Sequence, residues 1–134
     1  TRSPTYGYMR LSIKKRLQSF IYAFRGIVTL VKTQHNAWIH LFATLGVISF
    51  GFHFGVSEAD WSLLIVAIII VWLGEALNTA VEFLADSITR EHHPLIGKAK
   101  DVAAGGVLVA SIGSAAIGII VFWPYVSQIL GTKS

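Results

Sequence analysis

Residues 61–86 read WSLLIVAIIIVWLGEALNTAVEFLAD, a long apolar run interrupted by four polar side chains, Glu75, Asn78, Glu82 and Asp86. Their spacing of three, four and four residues places them at roughly 0, 300, 340 and 20 degrees around an α-helix. They therefore form one polar stripe on an apolar helix. A carboxylate at the centre of a membrane-spanning helix costs about 2.5–3.5 kcal/mol, so the stripe predicts a functional site. The alternative is that these charges only pair with one another inside a helix bundle.

The composition indicates an all-α membrane protein. Of 134 residues, 54% are hydrophobic and only 13% are charged, and the mean hydropathy is +0.63. Such a chain is too apolar for an ordinary soluble domain, and α-helices satisfy their backbone polar groups within one segment, as lipid requires. The chain contains no cysteine, which excludes disulfides, thiolate nucleophiles and Cys-based metal sites. We expect a single domain covering residues 1–134.

Three spans of about 20 residues, the length that crosses a ~30 Å hydrocarbon core, are predicted at residues 37–54, 61–84 and 102–123. Ahead of them, residues 11–31 read LSIKKRLQSFIYAFRGIVTLV, in which apolar side chains recur at helical spacing with the charges mostly elsewhere. This pattern predicts an amphipathic helix in the membrane surface, which either only anchors the chain or also lines a site. Small residues are frequent at 105–118, which predicts close helix approach and association into an oligomer.

The distribution of basic residues predicts the orientation. Seven of the eleven Lys and Arg residues lie within residues 1–36, and residues 87–101 carry three more. Segments rich in Lys and Arg stay on the cytoplasmic side, so we expect both to be cytoplasmic and the 55–60 turn to lie outside. Pro94 and Gly97 favour a break between helices in the 87–101 connection. A basic segment next to membrane spans favours lipid headgroups or phosphates over nucleic acid as its partner.

The depth of each stripe residue predicts its role. If Trp61 lies near the outer interface, Glu75 lies about 21 Å deeper, at 1.5 Å per residue. A carboxylate there can accept the proton of an alcohol, whereas Glu82 and Asp86, nearer the cytoplasm, suit hydrated Mg²⁺. From the next connection, Lys100 can neutralise phosphate charge. The chain has no GxxxxGK[ST] loop and no kinase HRD or DFG element, so phosphoryl transfer would need a different architecture.

A long ungapped segment resembles the signature of the small bacterial membrane lipid kinases, which comprise the prokaryotic diacylglycerol kinases and the similar undecaprenol kinases. It runs from Glu75 to Val107 and reads EALNTAVEFLADSITREHHPLIGKAKDVAAGGV. The similarity extends from about Lys15 to Pro124. The resemblance implies phosphorylation of a membrane lipid hydroxyl with ATP and Mg²⁺. It also implies a homotrimer of three-helix subunits, each with a surface helix, and active sites shared between neighbours on the cytoplasmic face of the bacterial inner membrane.

The resemblance also implies residue roles at the matching positions. Glu75 matches the general base of the family, and Glu82 matches a metal-binding glutamate. The positions that match its nucleotide contacts are Lys15, Tyr22, Gln34, Asn78, Glu82, Asp86, Glu91, His92, His93, Lys100 and Asp101. The positions that border its lipid substrate are Ser19, Phe20, Phe24, Arg25, Glu75 and Ala104.

One departure from the family pattern affects a metal-binding position. Residues 33–41, TQHNAWIHL, resemble T-E-x-N-F-x-I-H, in which the glutamate is the second metal ligand, but this chain has Gln34 there. A glutamine keeps one carbonyl acceptor and loses the negative charge, so we expect weaker Mg²⁺ binding and slow turnover. The substitution is either natural or one made to trap an inactive enzyme. Lys15 stands where the family more usually has arginine.

Three functions are compatible with the sequence. A lipid kinase would act on undecaprenol or diacylglycerol, and residues 92–105, HHPLIGKAKDVAAG, look more like the undecaprenol-preferring members. A proton or ion conduit would also use a polar stripe, but it needs neither a basic surface helix nor Lys100 and Asp101, which a nucleotide site would use. The third is a catalytically impaired member of the kinase family, disabled by Gln34.

Overall fold

The chain forms four α-helices in the computed structural model, which describes residues 13–131. They are α1 (Ile13–Thr33), α2 (His35–Phe54), α3 (Glu58–Ile88) and α4 (Pro94–Ile129). The last three are each long and apolar enough to cross a membrane. The prediction of an all-helical chain with three such helices is confirmed, while residues 11 and 12 of the predicted first helix lie outside the described part.

The connection between α3 and α4 is much shorter than the sequence predicts. α3 continues to Ile88 and α4 begins at Pro94, so Lys100 and its neighbours lie on α4 and not in a loop. The expected break between helices is confirmed within residues 87–101, but it covers only residues 89–93, and Pro94 and Gly97 lie in the first turn of α4. Proline suits the first position of a helix, where its missing N–H would be unpaired anyway and its φ is already helical. The N–H of Gly97 donates to the carbonyl of His93 at 2.9 Å, inside the first turn of α4.

A tight turn joins α2 to α3 and makes the two helices antiparallel. Gly55 has φ 58° and ψ 47°, in the left-handed region where a residue without Cβ is favoured. The N–H of Val56 then donates to the carbonyl of Gly51 at 3.2 Å, which closes the end of α2. Ser57 caps α3, because its Oγ accepts the N–H of Asp60 at 3.1 Å.

The buried apolar core lies at this end of the bundle. Val56, Leu64 and Val121 are buried together. Partly buried side chains pack around them: Val47, Phe54, Trp61, Ile117, Phe122 and Tyr125. The Tyr125 O–H donates to Oδ2 of Asp60 at 2.8 Å, which ties the end of α4 to the start of α3. The polar stripe lies toward the other end of α3.

α3 and α4 approach closely at Gly74. A Cβ added to Gly74 would lie 3.6 Å from the Cβ of Ala110, and Oγ of Ser114 donates to the carbonyl of Ala67 at 2.9 Å. The small residues of α4 are thus partly used within the chain. A Cβ added at any of five α4 glycines meets no described atom within 4 Å: Gly97, Gly105, Gly106, Gly113 and Gly118. At these positions α4 has room for a side chain that the described part of its own chain does not fill.

We expect Gly51→Ala to destabilise the bundle, because a Cβ there would lie 2.5 Å from Cη2 of the Trp61 ring. Over-packing of this kind costs about 1–3 kcal/mol. Gly46→Ala is the matched control on α2, since its Cβ meets no atom within 4 Å and alanine favours helix by about 1 kcal/mol. Unfolding in detergent micelles should place Gly51→Ala clearly below Gly46→Ala in stability. Equal stability of the two variants would contradict the packing of Trp61 on Gly51.

Candidate active site

Burial decreases along the polar stripe of α3. The Glu75 side chain is 1% exposed and Asn78 is buried, while Glu82 is half-buried and Asp86 has 56% of its side chain exposed. All four lie on one continuous helix, as their spacing predicts. The buried end is suited to chemistry in apolar surroundings, and the exposed end is accessible to a water-soluble ligand.

The deepest carboxylate meets a histidine from the neighbouring helix. Nε2 of His40, on α2, lies 3.4 Å from Oε2 of Glu75, within ion-pair distance. Both atoms are buried and neither has a hydrogen-bond partner. His40 is absent from the site residues predicted from the sequence. The signal that could have found it is an ionisable side chain inside a predicted span, which is costly in lipid and is usually functional.

Trp72 of α3 packs against the His40 ring. The two rings meet edge to face, with centroids 6.3 Å apart and an interplanar angle of 66°, a separation typical of aromatic pairs. The indole N–H of Trp72 donates to Oγ1 of Thr44 at 3.0 Å, back on α2. Two pairs therefore connect α2 and α3 within one turn, Thr44 with Trp72 and His40 with Glu75.

Asn78 and Glu82 form the next pair along the stripe. Nδ2 of Asn78 donates to Oε1 of Glu82 at 3.2 Å. Oδ1 of Asn78 and Oγ1 of Thr79 are buried without a hydrogen-bond partner. An unpaired buried polar atom costs about 1–3 kcal/mol, so such atoms indicate where a ligand or ion could bind. Within residues 13–131 no three His, Cys, Asp or Glu side chains are placed to hold a metal ion.

The exposed end of the stripe is bridged to α4. Nζ of Lys100 lies 3.2 Å from Oδ1 of Asp86. At this end of the stripe the charges therefore do pair inside the bundle, which is the alternative to a functional site. Both side chains are exposed to a large extent, and such pairs contribute only about 0–1 kcal/mol. The pair can therefore open for a ligand at little cost in stability. The other predicted nucleotide residues at this end are also exposed: Glu91, His92, His93 and Asp101.

The predicted residues of α1 lie on its exposed surface. Oγ of Ser19 donates to the carbonyl of Lys15 at 3.0 Å, and Cζ of Arg25 lies 5.9 Å from the ring centroid of Tyr22. These contacts stay within α1, and no hydrogen bond or ion pair joins these side chains to the stripe in the described chain. Two further predicted residues are exposed as well, Phe20 and Phe24. Within the described part of one chain, these predicted α1 side chains therefore make no polar contact with the stripe.

Gln34 precedes α2 at the capping position, but its side chain makes no capping hydrogen bond. Its Nε2 donates to Oγ1 of Thr33 at 3.5 Å. No hydrogen bond joins Gln34 to Glu82 among residues 13–131, so the two predicted metal positions are not in direct contact. Ala104, predicted on the lipid side, is exposed on α4.

Several known proteins resemble this chain, and at least two of them match it over most of its length. An undecaprenol kinase of Bacillus subtilis (strain 168) is 37% identical over 115 residues, which cover 86% of this chain and 94% of the relative. A diacylglycerol kinase of Synechocystis sp. is 35% identical over 103 residues, covering 76% of this chain and 59% of the relative. A diacylglycerol kinase of Escherichia coli (strain K12) is 38% identical over 63 residues, 47% of this chain and 52% of the relative.

The family match covers the polar stripe and all of α2 and α3. Residues 21–122 match the sequence model of the prokaryotic diacylglycerol kinases. The match includes the buried Glu75, the Asn78–Glu82 pair and the start of α4. The chain therefore belongs to the prokaryotic diacylglycerol kinase family, a family of lipid kinases.

Proposed function

We propose that this chain transfers the γ-phosphoryl group of ATP to the hydroxyl of undecaprenol. The observation that carries the proposal is Glu75, whose side chain is 1% exposed on a helix long and apolar enough to span a membrane. Burying a carboxylate in a membrane-spanning helix is costly, so such a group is usually functional. Acting as the base for a lipid hydroxyl held at the same depth would be such a function. Undecaprenol is favoured over diacylglycerol because the undecaprenol kinase relative matches along 94% of its own length.

The charge distribution supports a site on the cytoplasmic side of the bacterial inner membrane. Basic residues concentrate before α2 and at the start of α4, whereas the α2–α3 turn is followed by Glu58 and Asp60. Ends rich in Lys and Arg stay in the cytoplasm. α1 would lie in the membrane surface, because its large apolar side chains are exposed in the single chain: Ile13, Leu17, Phe20, Ile21, Phe24, Ile27 and Val28.

In the proposed reaction Glu75 accepts the proton of the lipid hydroxyl while the hydroxyl oxygen attacks the γ-phosphorus. A new P–O bond forms to the lipid. The bond from the γ-phosphorus to the bridging oxygen breaks, and its electron pair leaves with ADP. The protein contributes mainly by positioning the two substrates and by placing Lys100 where it can neutralise phosphate charge.

Asn78 and Glu82 are suited to hold Mg²⁺, which prefers oxygen ligands and retains several waters. The donor set fits, because Oδ1 of Asn78 is buried and unpaired and Glu82 offers a half-buried carboxylate. Mg²⁺ supplies neutralisation of the charge on the ATP phosphates when it is bound. Gln34 can add only a neutral carbonyl oxygen to this set.

A homotrimer would complete the site. Within one chain, Lys15 and Tyr22 of α1 make no polar contact with the stripe among the described residues, and part of α4 remains open. A neighbouring chain on that surface, where small residues allow close approach, would bring further side chains to each stripe. The remaining proposed contacts are Gln34, Asp86, Glu91, His92, His93, Lys100 and Asp101 for ATP, and Ser19, Phe20, Phe24, Arg25 and Ala104 for the lipid.

In mixed micelles we expect ATP-dependent incorporation of phosphate into undecaprenol. We expect Glu75→Gln to lower the rate of this incorporation by about 10²–10⁴-fold, the usual contribution of acid–base catalysis. The amide keeps the shape of the side chain but cannot take the proton, so ATP binding should hardly change. The rate of phosphate incorporation is measured with labelled ATP and chromatographic separation of the lipids. The affinity for ATP is measured by equilibrium binding.

The same assay with diacylglycerol separates the two acceptors. A preference for diacylglycerol would overturn the choice of lipid, and near-full turnover by Glu75→Gln would overturn the assignment of the base. Both measurements are repeated in chains that carry Gln34→Glu, so that a slow parent does not hide the difference. Proton flux through reconstituted vesicles without phosphorylation of either lipid would favour a conduit.

We expect Gln34→Glu to raise turnover at least tenfold, which corresponds to about 1.4 kcal/mol of transition-state stabilisation. A second carboxylate would help to hold Mg²⁺ on the ATP phosphates through its negative charge. The neutral amide of Gln34 lacks this charge. Activity is measured at saturating lipid across a Mg²⁺ titration, with Glu82→Ala as the variant expected to weaken binding of Mg²⁺ and ATP. Equal activity of Gln34 and Gln34→Glu chains at every Mg²⁺ concentration would show that the substitution is benign.

We expect Asp86→Asn to raise the KM for ATP while changing the free energy of unfolding by less than about 1 kcal/mol, because its pair with Lys100 is exposed. Asp60→Asn is the matched control at the other end of α3. Its carboxylate accepts hydrogen bonds from Tyr125 and Ser57, and hydrogen bonds to a charged group are stronger than those to a neutral one. That variant should lose stability and keep its KM. Equal destabilisation by both changes would identify the Asp86–Lys100 pair as structural.

A further inference from the structure

His40 is a largely buried ionisable side chain that the proposed chemistry does not use. Its side chain is 12% exposed, and its Nε2 lies 3.4 Å from Oε2 of Glu75. Neither atom has a hydrogen-bond partner, so the two groups face each other at ion-pair distance without the alignment of a hydrogen bond. A small rotation of either side chain would form that bond.

The surroundings of His40 restrict its ring. Trp72 packs edge to face against the imidazole and is itself held by its hydrogen bond to Thr44. His40 and Thr44 lie one turn apart on α2, as Trp72 and Glu75 do on α3. The contact of His40 with Glu75 and that of Thr44 with Trp72 are therefore compatible with a single antiparallel register of the two helices. The imidazole cannot turn away from Glu75 without losing its packing against Trp72.

His40 also lines an apolar groove of about 640 Å³ between α2, α3 and α4. α4 contributes Ser111 and Ser114 as its polar lining, and it contributes no ionisable side chain to the groove. Glu75 is therefore the charged group that faces His40 in the described part of the chain. The groove is also the place where His40 would touch a lipid if its role were to bind substrate.

We propose that His40 is a positioning residue for Glu75, a role that rests on the proposed function of Glu75 as the base. By donating its Nε2–H to Oε2, the imidazole holds one carboxylate oxygen and leaves Oε1 directed at the lipid hydroxyl. A carboxylate without this partner would sample other orientations in its apolar surroundings. Misplacement of a reacting group by about 1 Å can lower a rate by about 10²-fold.

The test compares three substitutions of His40 in the full chain, in mixed micelles with ATP and undecaprenol. His40→Leu should lower kcat by about 10–100-fold and leave the KM for ATP and for lipid unchanged. His40→Gln should recover most of the rate, because its amide N–H can reach Oε2, whereas the shorter amide of His40→Asn should not. His53→Leu is the matched control, since His53 is an exposed histidine further along α2, and it should keep the parent rate.

A double variant shows whether His40 acts through Glu75. If it does, His40→Leu combined with Glu75→Gln is no slower than Glu75→Gln alone. A further loss equal to that of the single variant would show that His40 acts independently, and a raised lipid KM at unchanged kcat would show that it contacts the lipid. Either result overturns the proposal. Full activity of Glu75→Gln would instead remove the base on which the role of His40 depends.

Folding of each variant is read from its elution volume and melting temperature in the same detergent. If His40→Leu does not fold, the comparison of His40→Gln with His40→Asn decides. A higher kcat for His40→Gln supports the positioning role, and equal kcat values for the two amides overturn it.

Discussion

Burial of the Glu75 carboxylate among apolar helices is the constraint on which the rest of this structure depends. Lipid cannot satisfy backbone polar groups, so Glu75 must sit on an unbroken helix, and α3 provides one from Glu58 to Ile88. The side chain also needs a polar neighbour at its own depth, which α2 supplies through His40. Beyond it, the stripe leads turn by turn to the exposed Asp86, so one helix carries polar side chains from a buried position to an exposed one.

The fold was largely predictable because its patterns are local. Helical spacing placed the four stripe residues on one face, and apolar runs located α2, α3 and α4. The helix ends were less predictable, since hydropathy marks only the part of a helix that suits hydrocarbon. α3 and α4 span Glu58–Ile88 and Pro94–Ile129, well beyond the predicted 61–84 and 102–123. Pro94 favours a break between helices, but a proline is equally suited to the first position of a helix, and here it begins α4.

The contacts between helices were the part of the site that the sequence did not reveal. Glu75 stands out in an apolar run, but its contact with His40 depends on the register that the turn at Gly55 sets. The contact between Asp86 and Lys100 depends in the same way on the short α3–α4 connection. The proposed role of Gln34 comes only from the family pattern.

The two ends of the bundle are built differently. The buried apolar cluster and the hydrogen bond between Asp60 and Tyr125 lie at one end, and the unpaired buried atoms of His40, Glu75 and Asn78 lie toward the other. If the proposed site is correct, most of the residues that stabilise the bundle lie at the opposite end from the residues that perform the chemistry. Substitutions around the proposed site would then change the acceptor lipid at little cost in stability. Such a division suits a family whose relatives are named for two different lipid alcohols.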